Sequence, residues 1–258
     1  MFYRPRLIPC LSIQNRSLVK TVQFSNPRYL GDPINAVRIF NDKGVDELAV
    51  LDISASQDKR GPDFQYLQSI ACEAFMPLSY GGGIASLSEI KKLFYIGFEK
   101  VIINTSFINT PELIIEAVSH AGSQSIVVSI DVKRNMFGKY YCYSCSGKIK
   151  TNKDPVTLAK EAELFGAGEI LLNSISDDGM MRGYDLKLVK MVSESVSIPV
   201  IACGGARDIT DFKKVLTEGG AQAAAAGSLY VYYGEEKAVL ITVPKERDLY
   251  EFGIYKPL

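Results

Sequence analysis

Long apolar runs, an excess of charge of one sign and an even set of cysteines are all missing from this sequence. No apolar run reaches the roughly 20 residues that cross a bilayer, and residues 1–10 carry two arginines and two prolines in place of a signal-peptide core. The 29 basic and 29 acidic side chains cancel, so charge favours neither nucleic acid nor an anionic membrane as a partner. Of the five cysteines, Cys10 and Cys203 fall in apolar runs, which favours reduced thiols. We therefore expect a cytoplasmic protein without a nucleic-acid or membrane partner.

Apolar residues, by contrast, make up 47% of the 258 residues, enough for one large core. Eight short apolar runs predict strands that are buried on both faces, as parallel strands are. They are Arg6–Ser12, Glu47–Ile53, Met76–Tyr80, Lys100–Asn104, Ser125–Val132, Glu169–Ser174, Ile198–Cys203 and Gln222–Ala226. Segments with helical spacing alternate with them, namely Pro33–Lys43, Leu87–Tyr95, Pro111–Val118, Pro155–Phe165, Leu186–Val196 and Ile209–Leu216. The alternation predicts a single (β/α)8 TIM barrel over residues 1–258, with a β-hairpin inserted near 134–151.

Two stretches repeat each other at half the chain length. PLSYGGGIAS at Pro77–Ser86 and PVIACGGARD at Pro199–Asp208 each join an apolar run to glycines and then to an amphipathic segment. The matching glycines, Gly82 and Gly204, are 122 residues apart, which predicts a barrel built from two half-barrels. Glycine turns let backbone N–H groups approach a phosphate, and a following helix N-terminus adds partial positive charge. The pair predicts a ligand with a phosphate at each end; ordinary tight turns are the alternative interpretation.

The two ends of the predicted barrel carry different side chains. Chemistry in such barrels sits where the strands end, and here those positions form a polar, glycine-rich ring. Its members are Ser12, Asp52, Gly81–Gly83, Asn104–Thr105, Asp131, Ser174–Gly179, Cys203–Gly205 and Gly227–Ser228. Four of the strands begin with charges of alternating sign, at Arg6, Glu47, Lys100 and Glu169. These four are either solvated rim residues or a closed ring of ion pairs across the barrel floor.

Several stretches together resemble one known family. They are RLIPCL at Arg6–Leu11, GDP at Gly31–Pro33, DELAVLDISAS at Asp46–Ser56, GGGI at Gly81–Ile84, KVIINTS at Lys100–Ser106, VVSIDVKR at Val127–Arg134, GAGEILLNSI at Gly166–Ile175 and AAGSLY at Ala225–Tyr230. On these residues the chain resembles, over nearly its whole length, the cyclase subunit of imidazole glycerol phosphate synthase. The resemblance implies a barrel that takes ammonia from a glutaminase partner and uses it to cleave its substrate and close an imidazole ring.

The resemblance also implies roles for individual residues. Catalytic carboxylates would end the first and fifth strands: Asp131 is present, and Ser12 stands where the family has the other aspartate. Contacts to substrate and phosphate would come from Lys20, Asp52, Gly82, Gly83, Asn104, Thr105, Asp178, Gly179, Gly204, Gly205, Gly227 and Ser228. The gate through which ammonia enters would be Arg6, Glu47, Lys100 and Glu169. The expected ligand is a phosphorylated small molecule or a nucleotide sugar, and neither a metal nor a cofactor is expected.

Departures from the family pattern lie mainly at the top of the barrel. A serine at position 12 cannot act as a carboxylate base near pH 7, and a lost acid–base group costs roughly 10²–10⁴-fold in rate. Ser176, Met180, Cys203 and the C-terminal segment Val231–Phe252 differ as well. The pattern resembles second-copy relatives found with surface-polysaccharide genes, which supply ammonia for amidination of an N-acetyl sugar. An authentic histidine-pathway cyclase, which is a lyase, and a non-catalytic scaffold that activates the glutaminase are the other hypotheses.

Two smaller features have open interpretations. Asp52 either orients substrate or hydrogen-bonds the nearby Ser54 and Ser56. Cys142 and Cys145 have the C-x-x-C spacing of a zinc half-site, but no second pair or nearby histidine accompanies them. Residues three apart on a strand also point to opposite faces. A packing or exposed-thiol role is the alternative to zinc.

Overall fold

The computed structural model describes residues 4–256. Within this range the strands are β1 Arg6–Gln14, β2 Ser17–Val22, β3 Ser25–Gly31, β4 Leu48–Asp52, β5 Leu78–Gly81, β6 Lys100–Ile103, β7 Ile126–Arg134, β8 Tyr140–Ser144, β9 Ile149–Lys150, β10 Glu169–Ser174, β11 Val200–Cys203, β12 Ala223–Ala226, β13 Tyr232–Tyr233 and β14 Ala238–Val239. The helices are α1 Pro33–Asp42, α2 Phe64–Ala71, α3 Leu87–Tyr95, α4 Thr105–Asn109, α5 Glu112–Ala121, α6 Pro155–Leu164, α7 Leu186–Ser193, α8 Ile209–Thr217, α9 Ser228–Val231 and α10 Glu246–Glu251.

Eight of the described strands close into a barrel. Parallel pairings run in the order β1, β4, β5, β6, β7, β10, β11 and β12, and β12 pairs back with β1. Helices alternate with these strands along the chain. A crossover helix is what a parallel pair requires, since two parallel strands cannot be joined by a tight turn. The predicted (β/α)8 barrel is confirmed.

The 122-residue repeat is visible in the element bounds themselves. Strands β5 and β11 start and end at positions 122 apart, and so do helices α3 and α8. The caps match as well, since Ser86 and Asp208 each accept a hydrogen bond from a backbone N–H in the first turn of the helix that follows. The glycine turns before these caps have positive φ in both halves. This part of the chain therefore has the two-fold character that the sequence predicts.

Two antiparallel hairpins interrupt the alternation. Strand β7 continues past the barrel rim to Arg134 and pairs with β8, which pairs with β9, within the segment where the insertion was expected. The second hairpin, β2–β3, follows β1 directly and was not predicted. Its turns place Asn15, Arg16, Gln23 and Phe24 at φ values of 49–60°. Non-glycine residues seldom adopt this conformation. Because neither turn contains an Asn-Gly or Asp-Gly pair, the sequence gives no signal for this hairpin.

Apolar residues fill two separate compartments. The larger one lies between the barrel wall and the helices, with Phe40, Tyr80 and Phe212 among its fully buried side chains. The smaller one, here called the inner column, lies inside the barrel and consists of Ile8, Cys10, Ala49, Ile102, Val127, Leu171, Ile201, Cys203, Ala223 and Ala225. Since side chains alternate along a strand, β1 directs Arg6, Ile8, Cys10 and Ser12 to the same side. Across residues 4–256, no helix is long and apolar enough to cross a bilayer.

Candidate functional site

The carboxyl ends of the barrel strands enclose a cavity of about 1160 Å³, part of it open to solvent. We call it the top cavity. All fourteen residues predicted for the catalytic, substrate and phosphate sites lie on its wall. They are Ser12, Lys20, Asp52, Gly82, Gly83, Asn104, Thr105, Asp131, Asp178, Gly179, Gly204, Gly205, Gly227 and Ser228. The structure thus brings residues from every part of the chain to one concave surface.

Asp131 is the titratable group whose environment is most suited to proton transfer. It lies one residue before the end of the buried part of β7, and its Oδ1 accepts a hydrogen bond of 3.1 Å from Ser129 Oγ. Burial raises the pKa of Asp131 to about 7; the Ser129 hydrogen bond works against this rise, and the charge of Asp178 adds to it. A carboxyl group with a pKa near the working pH can both give and take a proton.

The raised pKa predicts a stability effect of replacing Asp131 with asparagine. Between pH 4 and 7 the folded protein holds this proton more tightly than the unfolded chain does, so the wild type loses stability as pH rises. Asp131→Asn removes that loss, and we expect it to stabilise the fold at pH 8 by on the order of 4 kcal/mol relative to its effect at pH 4. Chemical denaturation at both pH values checks this, with the more exposed Asp58→Asn as control. Equal effects of Asp131→Asn at the two pH values would count against a buried, raised carboxyl.

A second carboxylate in the top cavity is held by the β2–β3 hairpin. Lys20 Nζ lies 2.7 Å from Asp178 Oδ1, and Thr21 Oγ1 donates to Asp178 Oδ2 at 3.0 Å. All three side chains are buried. The backbones of Gly179 and Thr21 also approach closely. A Cβ atom added at Gly179 would lie only 2.3 Å from the Thr21 carbonyl oxygen, so no larger residue fits there. The hairpin therefore closes over this side of the cavity, and its lysine holds Asp178 in place as a buried ion pair.

The glycine turns allow close backbone approach in both halves. A Cβ on Gly82 would lie 2.5 Å from the Asp52 carbonyl oxygen, and one on Gly205 would lie 2.1 Å from that of Gly183. Near the second turn, Ser228 Oγ and Asn173 Oδ1 are buried without a hydrogen-bond partner within the described part of the chain. A phosphate in the cavity would accept a hydrogen bond from Ser228 Oγ, whereas Asn173 Oδ1 needs a donor such as a ligand hydroxyl group.

Asp52 is engaged by its own loop. Its Oδ1 accepts from Ser54 N and Ser54 Oγ, each at 3.0 Å, and its Oδ2 is 2.8 Å from Arg60 Nη2. Ser56 bonds elsewhere, because its Oγ accepts from Gly83 N at 3.4 Å. Arg60 had no sequence signal, since eight residues and a turn separate it from Asp52. Of the two interpretations of Asp52, these contacts favour a role in shaping the loop.

At the opposite end, the four charged residues form one closed ring, here called the floor ring. Arg6 Nη1 is 2.6 Å from Glu47 Oε2, and Arg6 Nη2 is 2.6 Å from Glu169 Oε1. Lys100 Nζ bridges the same two carboxylates at 3.1 and 2.9 Å. Burial disfavours the Arg6 charge, but Glu169 and Glu47 outweigh it and raise the pKa of Arg6 above its usual value. Of the two interpretations of these charges, the structure has the ring of ion pairs.

The inner column lies between the floor ring and the top cavity. Its residues are aliphatic or small, and Cys10 and Cys203 at its upper end also line the top cavity. An apolar interior disfavours ions strongly, whereas a small neutral molecule bears little cost there. The three layers, charged floor, apolar column and polar cavity, follow one another along the barrel axis.

Some contributing residues were missed from the sequence. Ser129 orients Asp131, Thr21 binds Asp178, and Phe24 in the β2–β3 turn lines the cavity. Ser129 could have been found, because it lies two positions before Asp131 on the same face of β7. Thr21 and Phe24 could not, since their positions depend on the unpredicted hairpin.

The Cys142–Cys145 pair is split between two environments. Cys142 is buried in the outer core, and burial raises its pKa to about 12. Cys145 is half-buried, and its Sγ is 3.5 Å from the Ser56 carbonyl oxygen. Over residues 4–256, no group of three or more His, Cys, Asp or Glu side chains is placed to hold a metal ion. The environments fit packing roles for both thiols.

Together, the fold and site define a (β/α)8-barrel protein with a polar cavity above an apolar column and a charged floor. Residues 6–236 match the family model described as histidine biosynthesis protein, and the chain belongs to this family. It is 46% identical to "Putative imidazole glycerol phosphate synthase subunit HisF" of Leptospira interrogans over 246 residues, 95% of this chain and 97% of that protein. It is 46% identical to "Putative imidazole glycerol phosphate synthase subunit hisF2" of Pseudomonas aeruginosa, over 93% and 96% of the two chains. Identity to "Imidazole glycerol phosphate synthase subunit HisF" of Alkaliphilus metalliredigens is 39%, over 96% and 97%.

Proposed function

We propose that this chain is the ammonia-channelling barrel of a two-subunit synthase. In this proposal a glutaminase docks on the floor, ammonia passes the floor ring and the inner column, and it reaches a phosphorylated ligand in the top cavity. One observation carries the proposal: the floor ring is intact, whereas the top cavity holds Asp131 but has Ser12 in place of the second catalytic carboxylate. Relatives named as subunits of imidazole glycerol phosphate synthase support it.

The floor has the exposed apolar surface that a protein partner needs. Phe75 is 85% exposed, Tyr95 90% and Leu164 83%. Each lies a few residues before a barrel strand, at the same end of the barrel as the floor ring. Exposed aromatic and aliphatic side chains at the same end of the barrel as a charged centre fit a protein interface. The glutaminase would cover these side chains and deliver ammonia directly onto the ring.

We further propose that the reaction served is amidination of an N-acetyl sugar for a surface polysaccharide. Imidazole ring closure calls for an acid and a base, and the cavity has a hydroxyl at position 12 where the second carboxylate is expected. When ammonia adds to the acetamido carbon of a bound sugar, Asp131, with its pKa near 7, takes one proton from the added nitrogen. The amide oxygen leaves as phosphate, after activation by a nucleoside triphosphate as co-reactant. The name of the relative in Pseudomonas aeruginosa, subunit hisF2, supports a role outside the main pathway.

Deleting the gene from its source organism tests the sugar proposal. We expect the deletion strain to grow without added histidine and to lose acetamidino groups from its surface polysaccharide, as read by mass spectrometry of the hydrolysed sugars. Complementation with the wild-type gene should restore the sugar, and complementation with Asp131→Asn should not. A histidine requirement, or an unchanged polysaccharide, would refute the proposal.

A further inference from the structure

A second concavity adjoins the top cavity. It encloses about 1410 Å³, partly open to solvent, and is here called the C-terminal groove. One wall comes from the loops after β10 and β11, and the other from the β13–β14 hairpin and the segment that leads to α10. Its lining includes Met181, Arg207, Leu229, Tyr232, Tyr233 and Phe252. The hairpin belongs to the C-terminal segment in which this sequence departs from the family pattern.

The groove and the top cavity share one thin wall. Met181 lines both spaces. On either side of it, neighbouring residues face opposite ways: Ala206 lines the cavity and Arg207 the groove, while Ser228 lines the cavity and Leu229 the groove. The buried, unpartnered Ser228 Oγ is thus one residue away from the groove. A ligand whose phosphate meets Ser228 needs only to continue past Met181 to enter the groove.

The charges of the groove are unsuited to a phosphate but suited to hydroxyl groups. Its lining contains the carboxylates Asp208, Glu235 and Asp248 and the cations Arg207 and Lys237. The carboxylates outnumber the cations, and Arg207 is held by Asp208, with Nε 2.9 Å from Oδ2, so the lining offers acceptors to hydroxyl groups more than positive charge to an anion. Carboxylates accept hydrogen bonds from sugar hydroxyls, and tyrosine and phenylalanine rings pack against a planar base. The groove therefore fits an uncharged group that combines a polyol with a flat ring.

We propose that the C-terminal groove binds the nucleoside of a nucleoside diphosphate whose phosphates lie in the top cavity beside Ser228. This deepens the proposed function, on which it rests, by assigning the ligand class: a phosphate diester that continues outward, not a monoester that ends in the cavity. The base contacts Tyr233 and its neighbours, and the ribose hydroxyls face the groove carboxylates.

Calorimetric titration of the full chain separates the two spaces. The probes are inorganic pyrophosphate, which can occupy the phosphate site alone, and UDP, ADP, GDP and CDP. We expect at least one nucleotide to bind about tenfold more tightly than pyrophosphate, a difference of about 1.4 kcal/mol. Tyr233→Ala should abolish this preference and leave pyrophosphate affinity unchanged, while Tyr29→Ala, at a similarly exposed tyrosine, should change neither (63% and 66% exposed). Ser228→Ala should weaken all probes alike.

The outcomes distinguish this inference from the proposed function. Pyrophosphate binding that no nucleotide exceeds, or a nucleotide preference that survives Tyr233→Ala, would overturn the groove assignment and leave the phosphate site standing. Loss of binding for every probe would overturn both. Tyr233 and Tyr29 are exposed side chains outside the barrel core. Thermal unfolding confirms that all three variants are folded before titration.

Discussion

Replacing Ser12 with aspartate is expected to raise ammonium-driven turnover of the histidine-pathway substrate by roughly 10²–10⁴-fold from a near-zero level. Ser12 lies on the same face of β1 as Arg6, Ile8 and Cys10, so an aspartate there faces the interior at the rim of the top cavity. The other groups that line the cavity, Asp131 among them, are already in place. The substitution restores the catalytic carboxylate expected at this position, while Cys203, which also departs from the family pattern, stays in the cavity wall.

Matched variants make this result specific. Ser12→Asn has the same shape as the aspartate but cannot exchange a proton at neutral pH, so it should leave turnover at the wild-type level. Adding Asp131→Asn to Ser12→Asp should remove the gained activity, because both groups act on one reaction. A wild-type protein that already turns over this substrate, or a Ser12→Asp variant without any gain, would show that position 12 is not what separates this barrel from the pathway enzymes.

The barrel itself was accessible from the sequence for a simple physical reason. Strands buried on both faces leave continuous apolar runs, and the glycine turns leave the 122-residue repeat, so neither depends on distant contacts. Position also grouped Arg6, Glu47, Lys100 and Glu169 in the prediction, since each stands at or next to the start of a barrel strand. The sequence left open whether they form a ring of ion pairs or stay solvated at the rim, and the structure has the ring.

Features fixed by long-range packing were not accessible in this way. The β2–β3 hairpin turns through Asn15–Arg16 and Gln23–Phe24, and nothing local forces those residues to positive φ. Helix α2 was also missed; it is only eight residues long and starts at the Asp63 cap directly after a proline. The C-terminal groove depends on a hairpin, β13–β14, of two residues per strand. Such short elements carry too few residues for a periodic signal.

Blocking the inner column with Ala223→Leu is expected to reduce turnover driven by glutamine and to spare turnover driven by added ammonium salt. Ala223 is fully buried inside the barrel and is paired in register with Arg6 of the floor ring. A leucine at this position fills space next to the ring. Ammonia released by the glutaminase would then escape to bulk water, where at pH 7 it is mostly protonated and no longer a nucleophile. Ammonium salt added to the solution still reaches the top cavity from its open side.

Ala224 provides a control of the same chemistry on the other face of β12. It is equally buried but packs in the outer core, against the helices. Leucine at either position adds the same volume, with an overpacking cost of about 1–3 kcal/mol in each case. Valine at both positions is the milder pair if either leucine variant unfolds. Any difference between the two variants therefore reports on the axis of the barrel and not on stability.

The most direct test of the channel is the ratio of glutamine-driven to ammonium-driven turnover, measured with the glutaminase partner in the Ser12→Asp background. We expect Ala223→Leu to lower this ratio by about 10²-fold, the scale of losing a delivered nucleophile, while Ala224→Leu leaves it unchanged. A ratio that stays the same in Ala223→Leu would mean that ammonia does not travel along the barrel axis.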